Sequence, residues 1–387
     1  MQLDPDDERV LAGEAGETRQ KMLELLVALG KVFGAERLVP IKSAQVSGAS
    51  YKTIGKYGLD WLLSLDAKAV VPAVLNPIGM ARSRWEEMGI DPGFAQNQQA
   101  VVAAYERLGI RLDCTCTPYY LYETRYGDHL AWSESSAVSY ANSVIGARTN
   151  REGGPSALAA AIIGKTPCYG LHLDKNRVPQ MVIEVHADTS LWGIADYGAL
   201  GYHAGKLVGN RIPFFRGIKP DADQQKAIGA AMAATGAVAL YHVEGVTPDA
   251  QKNRYDLSGL EVIPVEQAEV SRLFTQIPVD AVALGCPHCS PAELAEIARL
   301  LTGQVVTKPL YVFASQGVID RNTKIVDSIE KSGARVFADT CMVVSPAMEQ
   351  YSAIMVNSGK ALAYVPNMCG GQARIGSIED CIKVATE

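Results

Sequence analysis

The chain has 387 residues, 48% hydrophobic and 20% charged, with a formal net charge of −6. That length allows two or three subdomains, and the acidic balance, with no basic run or aromatic-interleaved patch, argues against a nucleic-acid binder. The start, Met1-Gln2-Leu3-Asp4-Pro5-Asp6-Asp7-Glu8, lacks a signal-peptide pattern. No apolar run nears the roughly 18 residues of a membrane span, and eight cysteines are too few for a disulfide scaffold, so a cytoplasmic protein with free or metal-binding thiols is expected.

In chain order, a helix opens at Asp4-Pro5 and runs to about Phe33, interrupted near Gly13 and Gly16. Its second part places Met22, Leu25, Leu26, Leu29 and Phe33 at helical spacing. Arg37–Ile41 reads as a strand, Lys42–Tyr51 as a polar loop rich in hydroxyls, and Ala69–Leu75 as a strand ending at Asn76-Pro77. Asn97 is a candidate N-cap for a helix over 98–108. A strand at Ile110–Asp113 follows, then small-residue helices over 134–143 and 157–163. Next come a turn-rich link at 172–179, a strand at Met181–His186, a glycine-rich stretch over 192–210 and a helix over 221–234. Apolar runs over 237–246, 279–284, 306–314 and 334–339 read as further strands. The βα alternation predicts an α/β protein with mostly parallel sheets flanked by helices, its C-terminal unit over roughly 236–387.

Three of these strands run into cysteine-bearing turns: Cys114-Thr115-Cys116, Gly285-Cys286-Pro287-His288-Cys289 and Thr340-Cys341. Ser290, Pro291 and Glu293 form a capping box that starts a helix after the second turn, and Ser345-Pro346 predicts another, through about Asn357, after the third. Ligands bind at the carboxyl ends of strands in open α/β sheets, and a helix amino end favours the thiolate that binds metal. If the strands share one sheet edge, the thiols converge. A lone Cys286-x-x-Cys289 with no second pair argues against a structural four-cysteine zinc site. Thiols on separate strand ends suit an iron–sulfur cluster with one open coordination position; the competing reading is small buried apolar residues, which accounts for Cys168 and Cys381.

Two other stretches carry chemistry. Arg148-Thr149-Asn150-Arg151 before Gly153-Gly154-Pro155-Ser156 and a helix reads as an anion site, or else as two solvated arginines. Lys42, Ser43, Gln45 and Ser47 offer hydrogen bonds to a carboxylate or phosphate, or simply form a loop. His288, beside Cys286, is a candidate functional residue, either an acid or a group next to a cluster; His172, His186, His203 and His242 read as structural.

The motifs Ile41–Gly48, Thr115-Cys116-Thr117-Pro118-Tyr119, Ala141–Asn150, Gly285-Cys286-Pro287-His288 and Asp339-Thr340-Cys341 resemble the large subunit of aconitase X, a divergent branch of the aconitase superfamily, across essentially the whole chain. The resemblance implies an aconitase-like, multi-subdomain iron–sulfur hydro-lyase whose [4Fe-4S] cluster is held by Cys116, Cys286 and Cys341, with Cys289 incidental. It also implies a separate small subunit carrying the swivelling domain and a serine base, since the chain stops at Glu387. Two-subunit members dehydrate (R)-mevalonate 5-phosphate to trans-anhydromevalonate 5-phosphate on a modified mevalonate route to isoprenoids. Fused and some split members act on cis-3-hydroxy-L-proline. The Asn150–Ser156 stretch looks like the first type, with Arg148, Arg151 and the Gly153-Gly154 amides toward the phosphate, Lys42, Ser43, Gln45 and Asn142 toward the carboxylate end, and Ser47, Ser143, Thr149 and Asn150 also expected at the substrate. Rival readings are a non-catalytic metal-binding scaffold and a thiol redox protein using Cys286 and Cys289.

Overall fold

Ala281–Leu284, Leu310–Ala314 and Ala353–Val356 are buried at every residue. Apolar runs without polar alternation belong in parallel sheets covered on both faces. The computed structural model, which describes all of Met1–Glu387, places them in one.

Strands are numbered along the chain. The first unit holds β1 (Leu38–Pro40), β2 (Ala44–Val46), β3 (Ala73–Leu75), β4 (Arg111–Cys114), β5 (Ala131–Trp132) and β6 (Lys165–Pro167). Its sheet runs β4-β3-β2-β5, all parallel, while β1 and β6 form an antiparallel ribbon. The second unit holds β7 (Met181–His186), β8 (Pro213–Arg216), β9 (His242–Val243) and β10 (Val262–Glu266), in the parallel order β10-β7-β8-β9. The third holds β11 (Ala281–Leu284), β12 (Leu310–Ala314), β13 (Arg335–Ala338), β14 (Ala353–Val356) and β15 (Gln372–Ile375), in the parallel order β13-β12-β11-β14-β15. The α/β architecture read from the sequence is the one found. Residues 236–275, grouped above with the C-terminal unit, complete the second sheet through β9 and β10. No helix is long and apolar enough to cross a membrane.

Several local expectations gave way to tertiary context. The Lys42–Tyr51 loop contains β2, an interior strand of the first sheet. The helix expected from Asn97 begins at Pro92, where Asp91 Oδ1 accepts from Phe94 N at 3.0 Å. Ser345-Pro346 starts only the short turn Pro346–Met348; the chain then enters β14, whose pairing with β11 overrides the proline start signal. The glycine-rich 192–210 stretch is mostly a helix, Ile194–Val208, lying against helix Ala222–Gly236. A Cβ on Gly201 would stand 2.5 Å from Ile228 O, so glycine is what permits that approach.

The three cysteine turns do not share one sheet edge. β4 is an edge strand of the first sheet; β11 and β13 lie in the third. The two sheets are locked at a parallel bridge between Ile78 and Thr340, with Ile78 N donating to Asp339 O at 3.0 Å and Cys341 N donating to Ile78 O at 2.9 Å. Met80, Met88 and Ile90 of the first unit continue the same join, packing into a core with Phe313, Phe337 and Ile354 of the third.

Candidate active site

A cavity of about 550 Å³ opens where the strand ends of the first and third sheets face each other. Its lining includes Cys116, Cys286, His288 and Cys341. The lining also includes Ser47, Ser50 and Thr53 after β2, Asn76 after β3, and Ser133, Glu134 and Ser135 after β5. Arg151 and Glu152 line it from the first unit, and Lys360 and Tyr364 from helix Gly359–Met368. All eight cysteines are free thiols.

The turn carrying Cys286 is tightly specified. Gly285 sits at φ +102°, and a Cβ there would stand 2.2 Å from Phe313 O, which belongs to β12. The following helix starts with the predicted capping box: Ser290 N donates to Glu293 Oε2 at 2.8 Å and Glu293 N to Ser290 Oγ at 3.1 Å. Gly285→Ala is expected to cost on the order of 3 kcal/mol through strain and the clash. It should also displace Cys286 from the cavity lining, and its thermal midpoint should fall.

His288 is buried and its ring is fully engaged. Nε2 lies 2.9 Å from Thr340 O, which can only accept, so Nε2 carries the hydrogen; Nδ1 meets Thr115 Oγ1 at 3.1 Å. Burial first, then nearby lysines, bring its pKa down to about 4. The backbone N–H of His288 donates to Cys116 Sγ at 3.1 Å. Of the two roles expected of His288, the acid is not the one this geometry fits: the ring is a neutral strut joining the three cysteine turns. Cys289, three residues beyond Cys286, points into the opposite core with Leu294 and Val312.

The predicted anion site is reduced to one arginine. Arg148 is buried, with Nε donating to Asp174 Oδ1 at 3.0 Å and Nη1 to Gly146 O at 2.6 Å. Asn142 donates to Thr149 O at 2.9 Å and accepts from Thr149 N at 3.1 Å. Ser143 Oγ accepts from Tyr241 N at 2.9 Å, and Thr149 Oγ1 accepts from Trp132 N at 3.1 Å. Asn150 bonds Tyr169 O and Leu171 N. Gly153 caps helix Gly154–Ile163. These residues brace the wall from behind, and only the exposed Arg151 reaches the cavity.

Of the residues singled out between Lys42 and Ser47, Ser47 lines the cavity. Gln45 ties its walls together, donating to Thr115 O at 2.7 Å and accepting from Glu134 N at 3.2 Å. Lys42 and Ser43 border a separate depression with Tyr122, Glu123 and Arg125. They precede the strand, whereas the cavity lies beyond its carboxyl end.

The sequence reading missed the ionic centre of the cavity. Lys360 donates to Glu134 Oε1 in a close contact and to Ser136 Oγ at 3.1 Å. Burial works against the charge on Glu134, yet Lys360 holds its pKa at about 2; burial likewise opposes the charge on Lys360, and Glu134 with the thiols of Cys286 and Cys116 keeps it firmly protonated. Burial pushes all three cavity thiols up, Cys116 to about 12, and Lys360 is the strongest opposing influence on each. The one signal for Lys360 is its place, since Ser358-Gly359-Lys360 follows β14 as another strand-to-helix turn.

Three family models describe the chain end to end: aconitase X first domain over residues 1–175, second domain over 179–275 and third domain over 279–387. The phosphomevalonate dehydratase large subunit of Methanosarcina mazei is 54% identical, over 100% of this chain and 97% of its own. That of Thermococcus kodakarensis is 44% identical over the whole of both chains. The cis-3-hydroxy-L-proline dehydratase of Pseudomonas aeruginosa is 32% identical over 99% of this chain but 70% of its own length. A crystal structure of Thermococcus kodakaraensis aconitase X in its holo form superposes with a TM-score of 0.91, at 45% identity and full coverage of both chains. The chain belongs to the aconitase X family.

Proposed function

We propose that this chain is the large subunit of an iron–sulfur hydro-lyase that dehydrates (R)-mevalonate 5-phosphate to trans-anhydromevalonate 5-phosphate, on a modified mevalonate route to isoprenoids in the cytoplasm. The observation that carries the reading is the meeting of Cys116, Cys286 and Cys341, from three distant turns, on one cavity. Relatives named phosphomevalonate dehydratase large subunit, 44 to 54% identical over nearly the whole chain, support the substrate.

The donor set suits a cluster. No three His, Cys, Asp or Glu side chains are placed to share one metal ion; Cys116, Cys286 and Cys341, which line one cavity, would instead hold a multi-iron cluster. The His288 N–H aimed at Cys116 Sγ supplies the kind of hydrogen bond that tunes a metal-bound sulfur. When bound, such a cluster provides Lewis-acid chemistry at the iron that lacks a protein ligand.

The chain's own groups orient the substrate. Lys360 stands deep beside the thiols and Arg151 is the outer, exposed cation. A substrate anionic at both ends fits that polarity, with its carboxylate inward and its phosphate outward. No carboxylate or imidazole of the cavity is spare for the C–H proton. Glu134 is tied to Lys360, Glu152 accepts from Ser156 Oγ at 2.6 Å and Thr166 Oγ1 at 3.1 Å, and His288 has both nitrogens engaged. That is compatible with a base supplied by the small subunit, where the resemblance puts a serine.

The test is anaerobic co-purification with the small subunit, followed by assays with mevalonate 5-phosphate and with cis-3-hydroxy-L-proline. Turnover of the first alone is expected; turnover of the second alone would reassign the substrate, and none of either would leave a scaffold. Arg151→Ala should raise KM for mevalonate 5-phosphate about 10- to 100-fold, the effect of losing a charged hydrogen bond, with kcat changed far less.

A further inference from the structure

The Glu134–Lys360 pair breaks two local rules at once. Lys360 is only 5% exposed, and it is the second residue of helix Gly359–Met368, where the helix dipole disfavours a cation. A buried ion pair also costs desolvation that an apolar pair of similar size avoids. Violations of this kind are expected where function requires them.

Its surroundings point to the thiols. Ser358 Oγ donates to Cys286 O and accepts from Ala361 N at 3.0 Å, so the helix start that carries Lys360 is fastened to the Cys286 turn. Gly359 presses against the second unit so closely that a Cβ would stand 2.1 Å from Gly198 O, which leaves Lys360 little room to withdraw. Glu134 reaches it from 226 residues away in sequence, itself held by Asn76 Nδ2 at 2.9 Å and Ser136 Oγ at 3.2 Å. Lys360 lines the same cavity as Cys116, Cys286 and Cys341.

We infer that Lys360 is the fixed positive charge that retains the metal centre and sets its potential, and that Glu134 positions Lys360. The inference rests on the iron–sulfur reading above. A cluster bound by three thiolates is anionic, and its reduction potential follows the net charge and burial around it. An ammonium held nearby favours both retention and reduction.

The test uses the full chain, loaded anaerobically with iron and sulfide, alone and with the small subunit, and reads iron loss to a chelator and the midpoint potential. Lys360→Met should lose iron on the order of tenfold faster, with a potential shifted negative, and Lys360→Arg should restore both toward wild type. Glu134→Gln leaves the ammonium unneutralised and should shift the potential positive. Those opposite signs are not expected of a pair that only packs. Should Lys360→Met fail to fold, the sign of the Glu134→Gln shift decides. Wild-type loading with unchanged iron loss and potential in the variants, or a negative shift in Glu134→Gln, overturns the inference alone. A wild-type chain that takes up no iron and sulfide overturns the metal-centre reading and this inference with it.

Discussion

Cys286→Ser is expected to abolish the visible absorbance of the anaerobically prepared chain and to lower turnover with the small subunit by on the order of 10³-fold. That magnitude corresponds to losing several kcal/mol of Lewis-acid assistance. The position allows no substitute: the turn is pinned by Gly285 against Phe313 O on one side and by Ser358 Oγ on Cys286 O on the other. Cys289→Ser is the matched control. Its sulfur is fully buried among Leu294, Val312 and Leu310 and does not face the cavity. A hydroxyl there should cost about 1–3 kcal/mol of stability while leaving the absorbance per folded molecule intact. Absorbance measured on both variants after anaerobic loading decides the matter. A normal spectrum from Cys286→Ser removes it from the ligand set, and a lost one from Cys289→Ser would make the C-x-x-C spacing meaningful after all.

The parts of this site that were legible in the sequence are those written locally. An apolar run ending at a cysteine, then a capping box, places a thiol at a strand's carboxyl end and a helix's amino end within about ten residues, and the Cys286 turn is built that way. What local signals do not contain is which partner a side chain finds. Arg148 and Arg151 are three residues apart and equally cationic, yet one is consumed by Asp174 and the backbone while the other faces the cavity. Lys42 and Ser47 belong to one polar stretch, and the strand between them puts them at opposite ends of the sheet. Lys360 and Glu134 define each other across two units, so neither was visible alone. The helix expected from Ser345-Pro346 failed for the same reason: an open space in the third sheet beside β11 outweighs a start signal.

The second large effect lies behind the wall, at Asp249. This carboxylate is 3% exposed and faces two buried guanidiniums: Arg177, whose Nε and Nη2 each reach Oδ2 at 2.9 Å, and Arg148, whose Nη2 stands 3.6 Å from Oδ1. Asp249→Ala would leave Arg177, itself 2% exposed, as a buried charge without its counter-ion, which typically costs about 3–5 kcal/mol. Burial raises the pKa of Asp249, but Arg177 and then Arg148 outweigh it and hold the group below its usual 3.8. A depressed folded pKa contributes stability above the unfolded value, about 3.9, and that contribution is lost as pH falls through the folded value. The gap in unfolding midpoint between wild type and Asp249→Ala should therefore be full at pH 7 and shrink below about pH 4. The loss should also reach the cavity. Arg177 donates to Asn142 Oδ1 at 3.0 Å, Asn142 clasps Thr149, and Thr149 Oγ1 accepts from Trp132 N, two residues before Glu134. Turnover of Asp249→Ala should consequently fall even at temperatures where the variant is fully folded. A variant that unfolds like wild type at pH 7 would mean that Arg177 is neutralised by some other group, and that this buried network does not support the wall.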